Sequence, residues 1–560
     1  MLYSLFCQLF FTTLLLFSIT RKVANTNFFE KMFKNQKHYY LYVIILIVIG
    51  ILIRTYKFGA IPAGVNHDEA MAAVDALALS QYGTDRFLMP FPVHFTAWGF
   101  APMNVLLSYL MIPFIKILGF SIISARLPTL VVSLISLWIF YSFMRKVFGN
   151  NQALIGLLFL VINPWHIMQS RWSLESNMLP HFLLFSFYFF YLGLKNRWAL
   201  AASMVLFGLT MYAYGIAFYS VPLIILLLSI YLFKTKLIET KDYLLYLVIY
   251  LMVALPILLV IVVNALKLKT VTYLIFTIPF LQNSGRMNDL LPFSANIPHQ
   301  LISNIGQLLG TVFIQVEDLP WNSISDFGPL YLFALPLMIS GLFYLISGMR
   351  NNSADRTGAI VVCIWLIVAL ISGILVNDVN INRINIILYP LIMLSSLGFY
   401  RLAFKKNNNI YIAIISIAIL ISTFVLFSYN YFHKHNIVLS HIYYNGFGKS
   451  IEYAENSNAT QIYVTSNTQY MGSQNVSEIL TLFYAKTDAK YFNNKKDIYD
   501  KSGVKLLPYS SRYQYISPES YDFSQAKPGT YIIRNEEVEY LNIAGFTFKS
   551  FDDFTVAEKQ

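Results

Sequence analysis

The chain of 560 residues is 57% hydrophobic and 12% charged, with a mean hydropathy of +0.57. Soluble globular domains carry about 25% charged residues, so the composition excludes an ordinary soluble fold and points to a polytopic membrane protein. The formal charge of +12 does not describe a nucleic-acid footprint: residues 430–560 hold 13 basic and 14 acidic side chains, whereas residues 1–429 hold 27 and 14.

In chain order, an apolar run over 2–19 comes first and is followed by a basic stretch from Arg21 to Lys37. The run is either an additional span or an uncleaved signal-like segment, because its charge follows rather than precedes it. Eleven further runs are long and apolar enough to span: 39–56, 126–145, 152–169, 178–194, 198–214, 216–233, 243–263, 330–347, 358–376, 385–400 and 409–428. Basic residues fall at alternate connections, at Arg145/Lys146, Lys195/Arg197, Lys234/Lys236/Lys241, Arg350/Arg356 and Arg401/Lys405/Lys406. With the stretch 21–37, these mark the cytoplasmic side. The loops 57–125, 170–177, 264–329 and 377–384, the turn at Gly215 and everything after about 429 then face outward. Cys7 and Cys363 both lie in apolar runs and give no readable disulfide framework.

Two outward loops are long. In 57–125, residues 68–81 are expected to form a helix that ends near Gly83. Residues 101–118 are apolar but short, and Pro102 and Pro113 interrupt them. Counting them as a span would reverse every later loop, so they are expected to lie along the interface. Loop 264–329 carries an amphipathic stretch at 299–315 and then the run Glu317-Asp318-Leu319-Pro320-Trp321-Asn322. From about 430 the chain turns polar. Strands are expected at 461–466 and 531–534 and helices at 449–455 and 478–486, a small α/β domain.

The expected fold is thus mainly α: about eleven core transmembrane helices, interfacial helices in outward loops and a C-terminal α/β extracytoplasmic domain. The segments are 1–38, 39–429 and 430–560, in a multi-pass protein of the plasma (cytoplasmic) membrane.

Asn66-His67-Asp68-Glu69 directly follows the first of these spans. Asn66 can cap a helix whose first turn holds both carboxylates, which complement the macrodipole. Alternatively, one carboxylate is a general base at the outer edge of a membrane cavity. Asp75 shares a helix face with Asp68 and is either a second polar contact or, more simply, a solvated residue. Three arginines lie on the side depleted of positive charge. Arg126 opens the second span, Arg171 follows the third and has Glu175 at i+4, and Arg383 lies between two later spans. Each is a snorkelling residue or a clamp on an anionic leaving group. Tyr212 and Tyr214 read as interfacial aromatics. His67, His94, His166, His181 and His299 lack paired metal-ligand spacing, although distant loops could still assemble a zinc site. The tail holds no phosphate loop.

His67-Asp68-Glu69-Ala70, Gly83-Thr84-Asp85, Pro90, Gly99-Phe100-Ala101-Pro102, Pro113, Leu118-Gly119 and Ala125-Arg126-Leu127-Pro128 together resemble the C-type glycosyltransferases. The similarity is to glycosyltransferase family 39, with its protein O-mannosyltransferases and lipid A aminoarabinose transferase. Pro164 through Arg171 and Phe327-Gly328-Pro329-Leu330-Tyr331 fit the same pattern. The resemblance implies a polyprenyl-phosphate-linked sugar donor and inverting transfer to a lipid, protein or envelope-polymer hydroxyl. Asp68 would be the base, and Glu69 would support it or orient the acceptor. His67, Tyr212 and the three arginines would line the substrate site. The resemblance implies no nucleotide sugar and no obligatory cofactor, and leaves a divalent metal open. Some relatives carry a lysine where this chain has Ala101, so the lipid phosphate would need Arg171 or Arg383, with Arg126 third. A lipid or solute transporter or flippase is the alternative, and a non-catalytic scaffold of the same fold a third.

Overall fold

The computed structural model describes residues 2–20, 36–97, 102–281, 297–315, 318–350, 356–376, 378–405, 410–457, 459–470, 474–500, 502–541 and 545–559. The chain is mainly helical and divides into two compact units.

The first unit comprises residues 1–58, 129–259 and 284–434. Each of the eleven apolar runs falls on a helix. Among the described residues, seven helices are long and apolar enough to cross a membrane, from Gln36–Thr55 to Ile410–Ile442. Asn150–Ile162, Arg197–Thr210 and Ala334–Arg350 are shorter apolar helices. The run at 152–169 is broken because Pro164, lacking an N–H, starts a new helix, Pro164–Gln169, which Asn163 caps through His166 N at 3.0 Å. Arg171 follows that helix and Glu175 opens the next, Glu175–Gly193, so the two do not share one helix as expected. The run at 2–19 forms Leu2–Thr20, tied to the bundle where Gln8 Nε2 donates to Leu332 O at 2.7 Å. Helix Ile297–Leu309 supplies the expected amphipathic stretch and anchors Asn304 Nδ2 on Ile374 O.

The second unit gathers residues 59–128, 260–283 and 435–560. Its core is a mixed five-stranded sheet in the order Phe546–Phe551, Phe554–Lys559, Gly529–Arg534, Ile462–Thr465, Tyr513–Ile516. The first three strands pair antiparallel and the last three parallel. Ile462–Thr465 and Gly529–Arg534 are the two expected strands, and Asn445–Asn456 and Ser477–Tyr484 the two expected helices. The C-terminal hairpin was not anticipated. Its connection is Asp552-Asp553, and Asp552 adopts φ 51°, which the short polar side chain tolerates.

Helix His67–Tyr82 belongs to this second unit and packs on Ser477–Tyr484. Pro102 and Met103 pair with Phe95 and Thr96 in a short ribbon, so the apolar helix expected from residue 101 begins later, as Leu106–Leu118. The small hairpin Val271–Tyr273 and Phe276–Ile278 joins the first loop through Val93 N to Thr277 O at 3.0 Å. Arg21, Gly99–Ala101, Glu317 and Asn377 lie outside the described residues.

Candidate functional site

The backbone enters helix His67–Tyr82 over a tight loop. Gly64 adopts φ 82°, with the carbonyl oxygen of Tyr443 2.4 Å from where a Cβ would stand. Val65 N donates to that same carbonyl at 3.0 Å. Asn66 then caps the helix, its side chain accepting from Asp68 N at 2.9 Å. At the far end Gly83 closes the helix in the left-handed region at φ 68°, and its N–H donates to Leu79 O.

Consecutive helical residues point about 100° apart, and this separates the two carboxylates. Glu69 turns inward and is fully buried. Its Oε1 and Oε2 accept from Arg126 Nε and Nη2, both at 2.8 Å. Arg126 also donates to Pro62 O at 2.8 Å, Gly64 O at 2.7 Å and Gly59 O at 3.4 Å. Its whole donor set is thereby engaged, and it ties the loop 59–64 and the helix start to its own helix, Ile122–Phe148. Asp68 turns outward with 46% of its side chain exposed, and its Oδ1 lies 3.3 Å from His67 Nε2.

Asp75 is not solvated. It is 1% exposed, and its carboxylate accepts from Arg86 Nη1 at 2.5 Å and Arg86 N at 3.0 Å. The turn after Gly83 reverses the chain and delivers Arg86, which also donates to Thr96 O at 2.6 Å. Asp85 beside it accepts from Phe87 N and Met89 N through Oδ1. Burial, and then the charge of Asp75, push its carboxyl up to about 7.

The remaining predicted residues lie in the first unit. Arg171 is fully buried and caps the C-terminal end of helix Gln36–Thr55. It donates to the carbonyls of Ile53 at 3.1 Å, Arg54 at 2.7 Å and Tyr56 at 2.5 Å. Those carbonyls lack helical partners, and a cation there complements the dipole. Phe432 lies under the guanidinium at 4.9 Å. Arg383 is the more accessible: 26% of its side chain is exposed, and Nη1 is 3.7 Å from Asp378 Oδ2. Asn380 caps its short helix Ile381–Ile384, and Asp318 accepts from Ile381 N at 2.6 Å. The run containing Asp318 thus pins the loop that presents Arg383. Tyr212 is largely buried and donates to Val253 O at 2.7 Å.

Sequence spacing could not reveal a buried polar network in the same unit. His166 Nδ1 accepts from Arg54, with Nη2 at 2.7 Å, while Nε2 lies 2.8 Å from Ser136 Oγ and 3.2 Å from Tyr389 Oη. His181 Nδ1 lies 2.7 Å from that tyrosine oxygen. The two imidazoles approach to 5.4 Å between centroids. Protein groups take both nitrogens of His166, and among the described residues no three His, Cys, Asp or Glu side chains gather as a metal site.

Residues 102–260 match the model of the dolichyl-phosphate-mannose-protein mannosyltransferase family. No curated protein matches the chain in sequence. Among solved structures, ArnT from Cupriavidus metallidurans in the apo state superposes with a TM-score of 0.50 at 12% identity, covering 92% of this chain and 97% of that one. ArnT from the same organism bound to undecaprenyl phosphate gives 0.55 at 11% identity, covering 93% and 98%. The family match covers the helices that hold Arg126 and His166 and the connection that carries Arg171, and the fold similarity extends over nearly the whole chain. The resemblance drawn from the residue motifs is therefore borne out: this is a polytopic membrane protein with the architecture of the C-type glycosyltransferases.

Proposed function

We propose that the protein is an inverting glycosyltransferase that moves a sugar from a polyprenyl-phosphate carrier to an acceptor hydroxyl on the outer face of the membrane. The separation of Asp68 from Glu69 carries this reading. A base needs an accessible carboxylate held in a fixed place. Glu69 and Arg126 fix the helix start and leave the adjacent Asp68 exposed. In the proposed step the acceptor O–H gives its proton to Asp68 as its oxygen attacks the anomeric carbon. The bond from that carbon to the phosphate oxygen breaks, the configuration inverts, and the carrier leaves as its phosphate anion. The family match over 102–260 and the fold shared with an undecaprenyl-phosphate-bound ArnT support a lipid-linked donor.

The phosphate contact is assigned to Arg383. Arg126 and Arg171 are buried on protein partners and act as positioning residues, whereas Arg383 stays partly exposed on a loop braced by Asp318. Tyr212 contributes packing at the outward turn, and His67 shares the first helical turn with the base.

The test is transfer from a synthetic polyprenyl-phosphate sugar to cell-envelope acceptors, read by mass spectrometry. Asp68→Asn should insert and fold normally and lose about 100-fold or more of turnover, the contribution of a positioned base. Wild-type rates in that variant would remove Asp68 from the mechanism.

A further inference from the structure

The C-terminal part of the second unit contains a cleft of about 390 Å³ whose lining includes Glu455, Lys486, Asp488, Tyr499, Asp500 and Arg512. This is within the size range of small-ligand sites, about 300–1,000 Å³. Its walls are electrically balanced, with Glu455, Asp488 and Asp500 against Lys486, Lys505 and Arg512. Several of these are already occupied. Asp488 caps Lys490 N and accepts from Tyr82 Oη and Lys496. Asp500 holds the turn at Ser502 and Val504, and Lys505 pairs with Asp497 at 2.8 Å. Three groups remain for a ligand. Glu455 receives both Arg512 Nη2 and Tyr513 Oη on Oε1, which leaves Oε2 available. Lys486 is exposed and has no acidic partner among the described residues. Tyr499 stands with 59% of its surface exposed at the cleft, although the ring is apolar.

We propose that this cleft binds a glycan, as the part of the acceptor remote from the reacting hydroxyl; that role rests on the transferase reading above. A sugar presents an apolar C–H face for an exposed ring and vicinal hydroxyls that donate to a carboxylate and accept from an ammonium. The balanced charge does not favour a phosphate or another anion, and the six charged side chains among otherwise mostly apolar walls do not suit a lipid chain.

The test uses the full-length protein in detergent on an array of neutral and amino-sugar oligosaccharides printed beside short peptides. Wild-type protein should retain one class of glycan. Tyr499→Ala and Lys486→Ala, both at exposed positions, should each weaken it by about tenfold, the equivalent of about 1.4 kcal/mol. Asp68→Asn should bind as wild type. Retention of peptides alone, retention of nothing, or unchanged glycan binding in both cleft variants would overturn the proposal. Glycan binding by a wild-type protein that transfers no sugar would leave the cleft standing and refute the transferase reading alone.

Discussion

Arg126 meets Glu69 through two parallel N–H···O bonds of 2.8 Å, and both side chains are fully buried. An ion pair of this kind contributes modest net stability when whole, but removing one partner strands a charge. Glu69→Ala should therefore cost about 3–5 kcal/mol and lower the unfolding temperature in detergent. Asp68→Asn, one residue earlier, should leave that temperature unchanged. Equal effects at the two positions would mean that the inward and outward roles are misassigned.

Gly64→Ala places a methyl group against the Tyr443 carbonyl at a φ of 82°. The expected cost is roughly 2 kcal/mol or more, combining backbone strain with overpacking. Because the loop feeds directly into Asn66, the variant should also lose turnover. Limited proteolysis near residue 64 is the direct check; a cleavage pattern identical to wild type would contradict the close approach.

Asp85 makes stability depend on pH. Its folded carboxyl titrates near 7, well above the ordinary aspartate value of about 3.9, so between those values the folded state holds more protons than the unfolded one. Stability should fall as pH rises through that window. Asp85→Asn keeps the acceptor oxygen for Phe87 N and Met89 N and should flatten the dependence. Thermal unfolding from pH 4 to 8 measures both, and a steeper slope in the variant would rule out this source.

Arg171 and Arg383 should fail in different ways. Arg171→Ala removes the cap on three carbonyls at the end of Gln36–Thr55 and should lower stability, with activity falling in proportion to folded protein. Arg383→Ala should leave unfolding unchanged and raise the KM for the lipid-linked donor by about tenfold. The reverse pattern, a donor effect at 171 and a folding effect at 383, would exchange their roles.

What could be read from the sequence was local. Asn66 and Gly83 are cap signals that sit beside the turns they form, so both ends of helix His67–Tyr82 were legible. The membrane helices were legible as apolar runs, and two tail strands as β-branched and aromatic runs. Asp75 was misread because its partner, Arg86, lies beyond a reversal that no helical periodicity encodes. The Arg126–Glu69 pair spans 57 positions, and the pairing of Tyr389 with His166 spans 223. Such contacts follow from packing, not from spacing. The break at Asn163-Pro164 was visible as a proline, but its effect of turning His166 toward Arg54 was not.

The contacts of the loop before the proposed base also set an order on synthesis. Val65 and Ala63 hydrogen-bond to Tyr443 and Asn436, residues translated more than 370 positions later. The ribosome must therefore deliver nearly all of the membrane-embedded chain, and then part of the tail, before the loop that leads into Asp68 finds these late partners. A nascent or prematurely terminated chain would hold this loop through Arg126 but not through Tyr443 and Asn436, so its full set of braces arrives only with the last quarter of the polypeptide.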